Sequence, residues 1–247
     1  MGCLGWRARI GLIVPSVSIT CETEFHRLVP KGVTVHSARM TLRDSTPESL
    51  MRMIEDVERA AIHLTDVSPH IIAFACTSGS FFQGPKGNEE LARKIERTAG
   101  VPATTTSTAM VEALRALGIK KVALATPYID EINTREKDFL EAHGFKVVSV
   151  KGLELIAPAR RDHPTDIEMQ SPSAVYELAL SANSAEADGI FISCAGLRAL
   201  EVAEYIERDL NKPVATSNMS LIWYTLRRKL HITDPIEGYG RLLREIP

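Results

Sequence analysis

Four cysteines stand in the chain of 247 residues, Cys3, Cys21, Cys76 and Cys194, and two of them close its most apolar runs. Ile-Ile-Ala-Phe-Ala leads into Cys76 and Gly-Ile-Phe-Ile-Ser into Cys194. Each is followed by small or hydroxylated residues, Thr77-Ser78-Gly79-Ser80 in one place and Ala195-Gly196 in the other, which let backbone N–H groups turn towards a bound anion. N–H dipoles around a thiol lower its pKa, so both cysteines are expected to hold a useful thiolate fraction near neutral pH and to act as base or nucleophile. One cysteine at the end of an apolar strand would read as an inert buried hydrophobe. Two at equivalent points of a repeat point to a pair that works on one carbon from opposite sides. Cys21, beside Glu22 in a helical pattern, and Cys3, near the terminus, have no such counterpart. The cysteines lack CxxC spacing and the density of a disulfide scaffold, so free thiols are expected. Seven histidines are scattered without HExxH spacing, which gives no zinc signature.

The elements that must position the pair can be read from short apolar runs that end in turn residues and give way to helical periodicity, a β/α alternation around parallel sheets. Strands are expected over 10–15, 32–37, 71–76, 101–104, 121–126, 146–150, 189–194 and 213–216. A duplication organises them. Gly-Leu-Ile-Val-Pro ending at Pro15 returns as Val-Ala-Leu-Ala-Thr-Pro ending at Pro127. The run into Cys76 returns at Cys194, and Pro-Ala-Thr-Thr-Thr-Ser from Pro102 returns as Pro-Val-Ala-Thr-Ser-Asn from Pro213. The expected fold is α/β, with two pseudo-symmetric Rossmann-like domains, each holding a four-stranded parallel sheet, and the active site in the cleft between them. Residues 1–117 plus 217–247 are assigned to the first domain and 118–216 to the second, with the helix after Thr216 crossing back.

Ligands in open parallel sheets sit outside the carboxyl ends of the strands. That rule adds Pro15, Ser16 and Ser18 after the first strand and Tyr128 after its repeat, beside Thr77, Ser78, Ala195 and Gly196, as carboxylate-holding candidates around catalytic Cys76 and Cys194. Thr104 to Thr108 and Ser217-Asn218 divide evenly between capping and binding roles. The charged stretch Arg160, Arg161, Asp162 and His163 reads as a solvated loop, and Trp223 and Tyr224 as core or subunit contact. Neither a Walker A nor a GxGxxG pattern follows any strand.

The totals narrow the partner. With 29 basic and 31 acidic residues mixed along the chain, no run of one sign offers a nucleic-acid or membrane footprint. Apolar runs are strand-sized, far short of the roughly 18 residues that span a bilayer, and no signal-peptide core follows Arg7 and Arg9. A cytoplasmic enzyme of a small molecule is the expectation, with homo-oligomerisation left open.

Six stretches carry a family resemblance: Gly11 to Ser16, Ala75 to Ser80, Ala113 to Gly118, Ala125 to Ile129, Ile192 to Arg198 and Gly238 to Leu243. On these the chain resembles the aspartate/glutamate racemase superfamily, in the branch of maleate cis-trans isomerases, arylmalonate decarboxylase and ectoine-utilisation proteins. The resemblance implies no cofactor and places Cys76 and Cys194 on the family's two catalytic cysteine positions. In its racemases the pair exchanges protons at Cα; in its maleate isomerases one cysteine adds to the double bond and the other serves as acid. Arylmalonate decarboxylase carries glycine at the first position, so Cys76 speaks against decarboxylation. Ser18 replaces the asparagine of the maleate isomerases, and Thr77-Ser78 replaces apolar residues. The expected function is a cofactor-independent isomerase or racemase of a small carboxylate or dicarboxylate. The rivals are a decarboxylase using Cys194 alone and a non-catalytic two-domain binding protein.

Overall fold

The computed structural model describes residues 3–44, 46–155 and 165–247. The stretch Arg160 to His163 lies outside them. The first half runs β1 (Ala8–Pro15), α1 (Thr20–Leu28), β2 (Val33–Met40), α2 (Pro47–Glu55), α3 (Val57–Thr65), β3 (Ile71–Phe74), α4 (Thr77–Phe81), α5 (Gly84–Ala99), β4 (Ala103–Thr105) and α6 (Thr106–Ala116). The second runs β5 (Lys121–Thr126), α7 (Asp130–Ala142), β6 (Lys146–Gly152), α8 (Pro172–Ala182), β7 (Gly189–Ile192), α9 (Ala203–Leu210) and β8 (Val214–Thr216). Helix α10 (Ser217–Trp223), a π-helix (Tyr224–Lys229) and α11 (Arg241–Glu245) complete the chain.

Two four-stranded parallel sheets form, with orders β2-β1-β3-β4 and β6-β5-β7-β8, the same order in each half. The inner strands β3 and β7 are buried along their whole length, as strands covered on both faces must be. Alternate residues feed two apolar layers that run through both halves: Ile71 and Ala73 with Ile190 and Ile192 in one, Ile72 and Phe74 with Phe191 in the other. The duplication extends to helix caps. Thr105 accepts a hydrogen bond from the Thr108 N–H, and Thr216 accepts one from the Met219 N–H. Helix α10 packs on α6 and α1 of the first half, with Trp223 fully buried. No described helix is long and apolar enough to cross a membrane.

One boundary differs from expectation. β3 and β7 stop two residues before the cysteines, so Cys76 and Cys194 occupy the turns beyond the strands and not their last positions. Cys76 is the N-cap of α4, and Cys194 sits at φ 104°, a conformation side-chain-bearing residues rarely adopt. Holding it there costs on the order of 1–3 kcal/mol, which the surrounding contacts must offset.

Candidate active site

Both cysteines line one cavity at the carboxyl ends of the two sheets, with about 460 Å³ of empty space including its mouth. The first half supplies Pro15, Ser18, Cys76, Thr77 and Ser78; the second supplies Tyr128, Cys194, Ala195 and Gly196. Ser16 is the exception among the expected residues. Its hydroxyl donates to the Leu42 carbonyl (2.9 Å) and accepts from the Leu42 N–H (3.1 Å), so it ties β1 to the segment after β2 and is absent from the lining. A turn serine can satisfy a neighbouring backbone as readily as a ligand, and sequence does not distinguish the two.

Several contacts fix the pair. The Cys194 N–H and the Thr77 hydroxyl both donate to Ser217 Oγ at 2.9 Å, so a residue opening α10 joins the two cysteine turns. Asn218 donates to the Ala195 carbonyl (2.9 Å) and to Glu24 (2.7 Å), and Ser193 donates to Glu136 (2.6 Å), which holds the 193–196 turn from behind. Gly79 leaves room beside the thiol: a Cβ there would stand 3.1 Å from the Cys76 sulfur and 2.8 Å from the Met53 methyl, which would have to move aside. The Tyr128 ring stacks edge-on against Phe81, with centroids 6.2 Å apart, and presents its buried hydroxyl to the cavity. That hydroxyl approaches the Cys194 sulfur without the geometry of a full hydrogen bond.

The thiols depart from the expected electrostatics. Burial pushes Cys76 up to about 11, against a partial lowering by the Gly79 N–H and the Ser78 hydroxyl. Burial likewise pushes Cys194 up to about 12, against the Tyr128 hydroxyl and the Gly196 N–H, which lies 3.4 Å from the sulfur. The N–H dipoles invoked from sequence are present, but losing water outweighs them, because a small cavity removes hydration from the thiolate more completely than one or two donors restore it. In the free protein both thiols are therefore protonated at pH 7. Alkylation by iodoacetamide is expected to accelerate at both sites up to pH 10 without a plateau, as read site by site by peptide mapping with mass spectrometry. A plateau near pH 8 would show that the burial argument fails.

Three further polar side chains line the cavity without having been singled out in the sequence, Asp44, Thr165 and Glu168, beside the apolar Val17, Leu42 and Ile167. Glu168 is almost fully buried and accepts from the Thr20 N–H (3.1 Å) and hydroxyl (2.6 Å). Burial raises its pKa to about 7, with the Thr20 hydrogen bonds opposing. It belongs to an irregular stretch with no periodicity, and nothing local marks it; it reaches the cavity because the chain folds it over Gly196. Cys21 is buried in the core and Cys3 is exposed, and neither lines the cavity.

The family model of arylmalonate decarboxylase matches residues 10–243, a span that holds both cavity cysteines. The chain belongs to the arylmalonate decarboxylase family. Among its relatives are the arylmalonate decarboxylase of Bordetella bronchiseptica, 34% identical with 96% of each chain covered, and the maleate isomerase of Nocardia farcinica, 31% identical with 96% of each covered. A solved structure of a cysteine-to-serine mutant of the Nocardia farcinica maleate cis-trans isomerase, with a covalently bound succinylcysteine intermediate, superposes with a TM-score of 0.88 at 28% identity, covering 96% of this chain and 98% of that one. Within the family the maleate isomerase matches identify the chain as an isomerase.

Proposed function

We propose that this family member isomerises a maleate-like unsaturated acid, with Cys76 as the nucleophile and Cys194 as the acid. The placement of both sulfurs in one cavity carries the reading, and the thiols divide the roles. Cys76 is assigned the attack because it opens α4 with the Gly79 N–H and the Ser78 hydroxyl beside its sulfur, and Cys194, raised by burial, is assigned the delivery of the proton. The Cys76 thiolate, its proton lost to water, adds to one alkene carbon. Electron density moves onto the neighbouring carbon and its carboxylate, and Cys194 protonates that carbon. The former double bond is now single and rotates. Cys194 then removes the proton and the thioether bond breaks, which regenerates thiolate and thiol with no net oxidation. Backbone N–H groups of Thr77 and Ser78, at the start of α4, and of Ala195 are the donors proposed for the enediolate-like charge. Pro15 and Ser18 would complete the wall.

Two observations support this over proton exchange or decarboxylation by Cys194 alone: the relative with a succinylcysteine adduct shares the fold over almost the whole chain, and Cys76 is present where a one-thiol enzyme needs none. The domain division into 1–117 plus 217–247 and 118–216 is part of the same proposal, since rotation of the intermediate needs two walls that can adjust. Intact-mass analysis of Cys194→Ser incubated with saturating maleate is expected to show a gain of one maleate, localised by digestion to Cys76. Absence of an adduct from a folded Cys194→Ser that still binds maleate would remove the nucleophilic role of Cys76.

A further inference from the structure

The catalytic cavity is bordered by two carboxyl groups that the two-thiol chemistry does not use. Asp44 stands at its mouth, held ionised by hydrogen bonds from Thr46 despite partial burial. Glu168 stands deeper, with one oxygen engaged by Thr20 and the other, Oε1, packed over the Gly196 Cα so closely that a Cβ there would lie 2.9 Å from it. Among the described residues the lining holds no lysine, arginine or histidine. A buried hydroxyl on the same lining, Tyr128 Oη, lacks a partner of full hydrogen-bonding geometry, which marks a polar position that a ligand would fill, whereas the Ser18 hydroxyl is turned towards Glu168.

An acid of the maleate skeleton has two ends. The wall at Thr77 and Ser78 offers the backbone N–H groups that open α4 and the Ser78 hydroxyl, donors suited to a carboxylate. With one carboxylate seated there, the other end would face Gly196 and Glu168, whose carboxyl already takes the Thr20, Ile19 and Ser18 donors, so that a second carboxylate would meet like charge once Glu168 is ionised. Like charges a few ångströms apart in a water-poor cavity repel strongly, whereas an N–H or O–H donor there would make a charge-assisted hydrogen bond.

We propose that Glu168 is a specificity-determining residue, and that the substrate is a monocarboxylate whose second end is a hydrogen-bond donor, an amide, ammonium or hydroxyl, and not a second carboxylate. The inference rests on the isomerase reading of the same cavity and narrows it. Glu168 achieves selection by penalising the competitor as much as by holding the substrate. Its position is over-determined: the Thr20 hydroxyl lies 2.6 Å from Glu168 Oε2 and 3.1 Å from the Gly196 carbonyl, so α1, the 165–169 stretch and the Cys194 turn move together. With a pKa raised to about 7, the group is ionised in mildly alkaline solution, where both thiols remain protonated.

Maleate and maleamate test this, since they match in size and differ only in a carboxylate replaced by a carboxamide. Titration calorimetry with the full chain at pH 8.5 is expected to give maleamate an affinity at least about ten-fold above that of maleate. Glu168→Gln, which keeps an oxygen for Thr20 and removes the charge, is expected to shift that ratio at least about ten-fold towards maleate. Equal affinities in the wild type, tighter binding of maleate, or binding of neither would overturn the proposal, and so would a folded Glu168→Gln with an unchanged ratio. If the variant fails to fold, the wild-type ratio decides alone. The thiol chemistry is read separately, by turnover. A wild type that isomerises maleate without preference overturns the role of Glu168 and leaves the isomerase intact; one that prefers maleamate but isomerises neither acid does the reverse.

Discussion

Cys194→Ser and Cys76→Ser are each expected to lower turnover of an accepted acid by roughly 10²–10⁴-fold, the range that loss of a positioned proton donor or nucleophile produces. Serine preserves the volume within a narrow margin, so neighbours such as Gly79, where even a Cβ would come within 3.1 Å of the Cys76 sulfur, should keep their places. What changes is ionisation: a hydroxyl in the site that pushes a thiol to about 11 or 12 does not become an anion at any accessible pH. Because one sulfur forms the bond that the other completes by protonation, the double mutant should lose little more than either single one. Steady-state rates with circular dichroism on all three variants measure this. Retention of most activity by Cys76→Ser, with Cys194→Ser inactive, would move the protein to one-thiol chemistry of the decarboxylase kind.

Glu136→Gln is expected to stabilise the protein by about 3 kcal/mol at pH 7 and to change nothing below pH 4. Glu136 is fully buried, its Oε1 accepts from Ser193, and its Oε2 has no partner. Burial raises its pKa from 4.5 to about 8 in the folded state. Below pH 4.5 the carboxyl is protonated both folded and unfolded, so it costs nothing. Between there and about pH 8 the unfolded chain ionises and the folded one does not, and stability falls by about 1.4 kcal/mol per pH unit; above about 8 the loss levels off. Glutamine removes the titration and keeps the acceptor for Ser193. Urea midpoints from pH 4 to 9 give the comparison, and parallel wild-type and mutant curves would refute it. Glu24, raised to about 8, adds to the wild-type slope in the same direction. These carboxyls brace the 193–196 turn through Ser193 and through Asn218, so the stability lost between about pH 4.5 and 8 should concentrate around Cys194.

Local pattern alone determined the parts of this protein that depend on local pattern. Buried parallel strands need uninterrupted apolar runs, so β3 and β7 announced themselves, and a duplicated half repeats its strand order and its Thr105 and Thr216 caps because each helix start has the same unsatisfied N–H groups. The pairing of Cys76 with Cys194 followed from that repeat, as did Thr77, Ser78, Tyr128, Ala195 and Gly196 at the strand ends. Tertiary structure decided what depends on neighbours distant in sequence. Ser16 was turned to Leu42 by the approach of the segment after β2, the thiols were raised and not lowered because enclosure is a property of the assembled cavity, and Glu168 became part of the site only when its stretch crossed over Gly196 to meet Thr20. A residue's identity states what it can donate or accept; hydration and competing partners, set by the whole fold, state what it does.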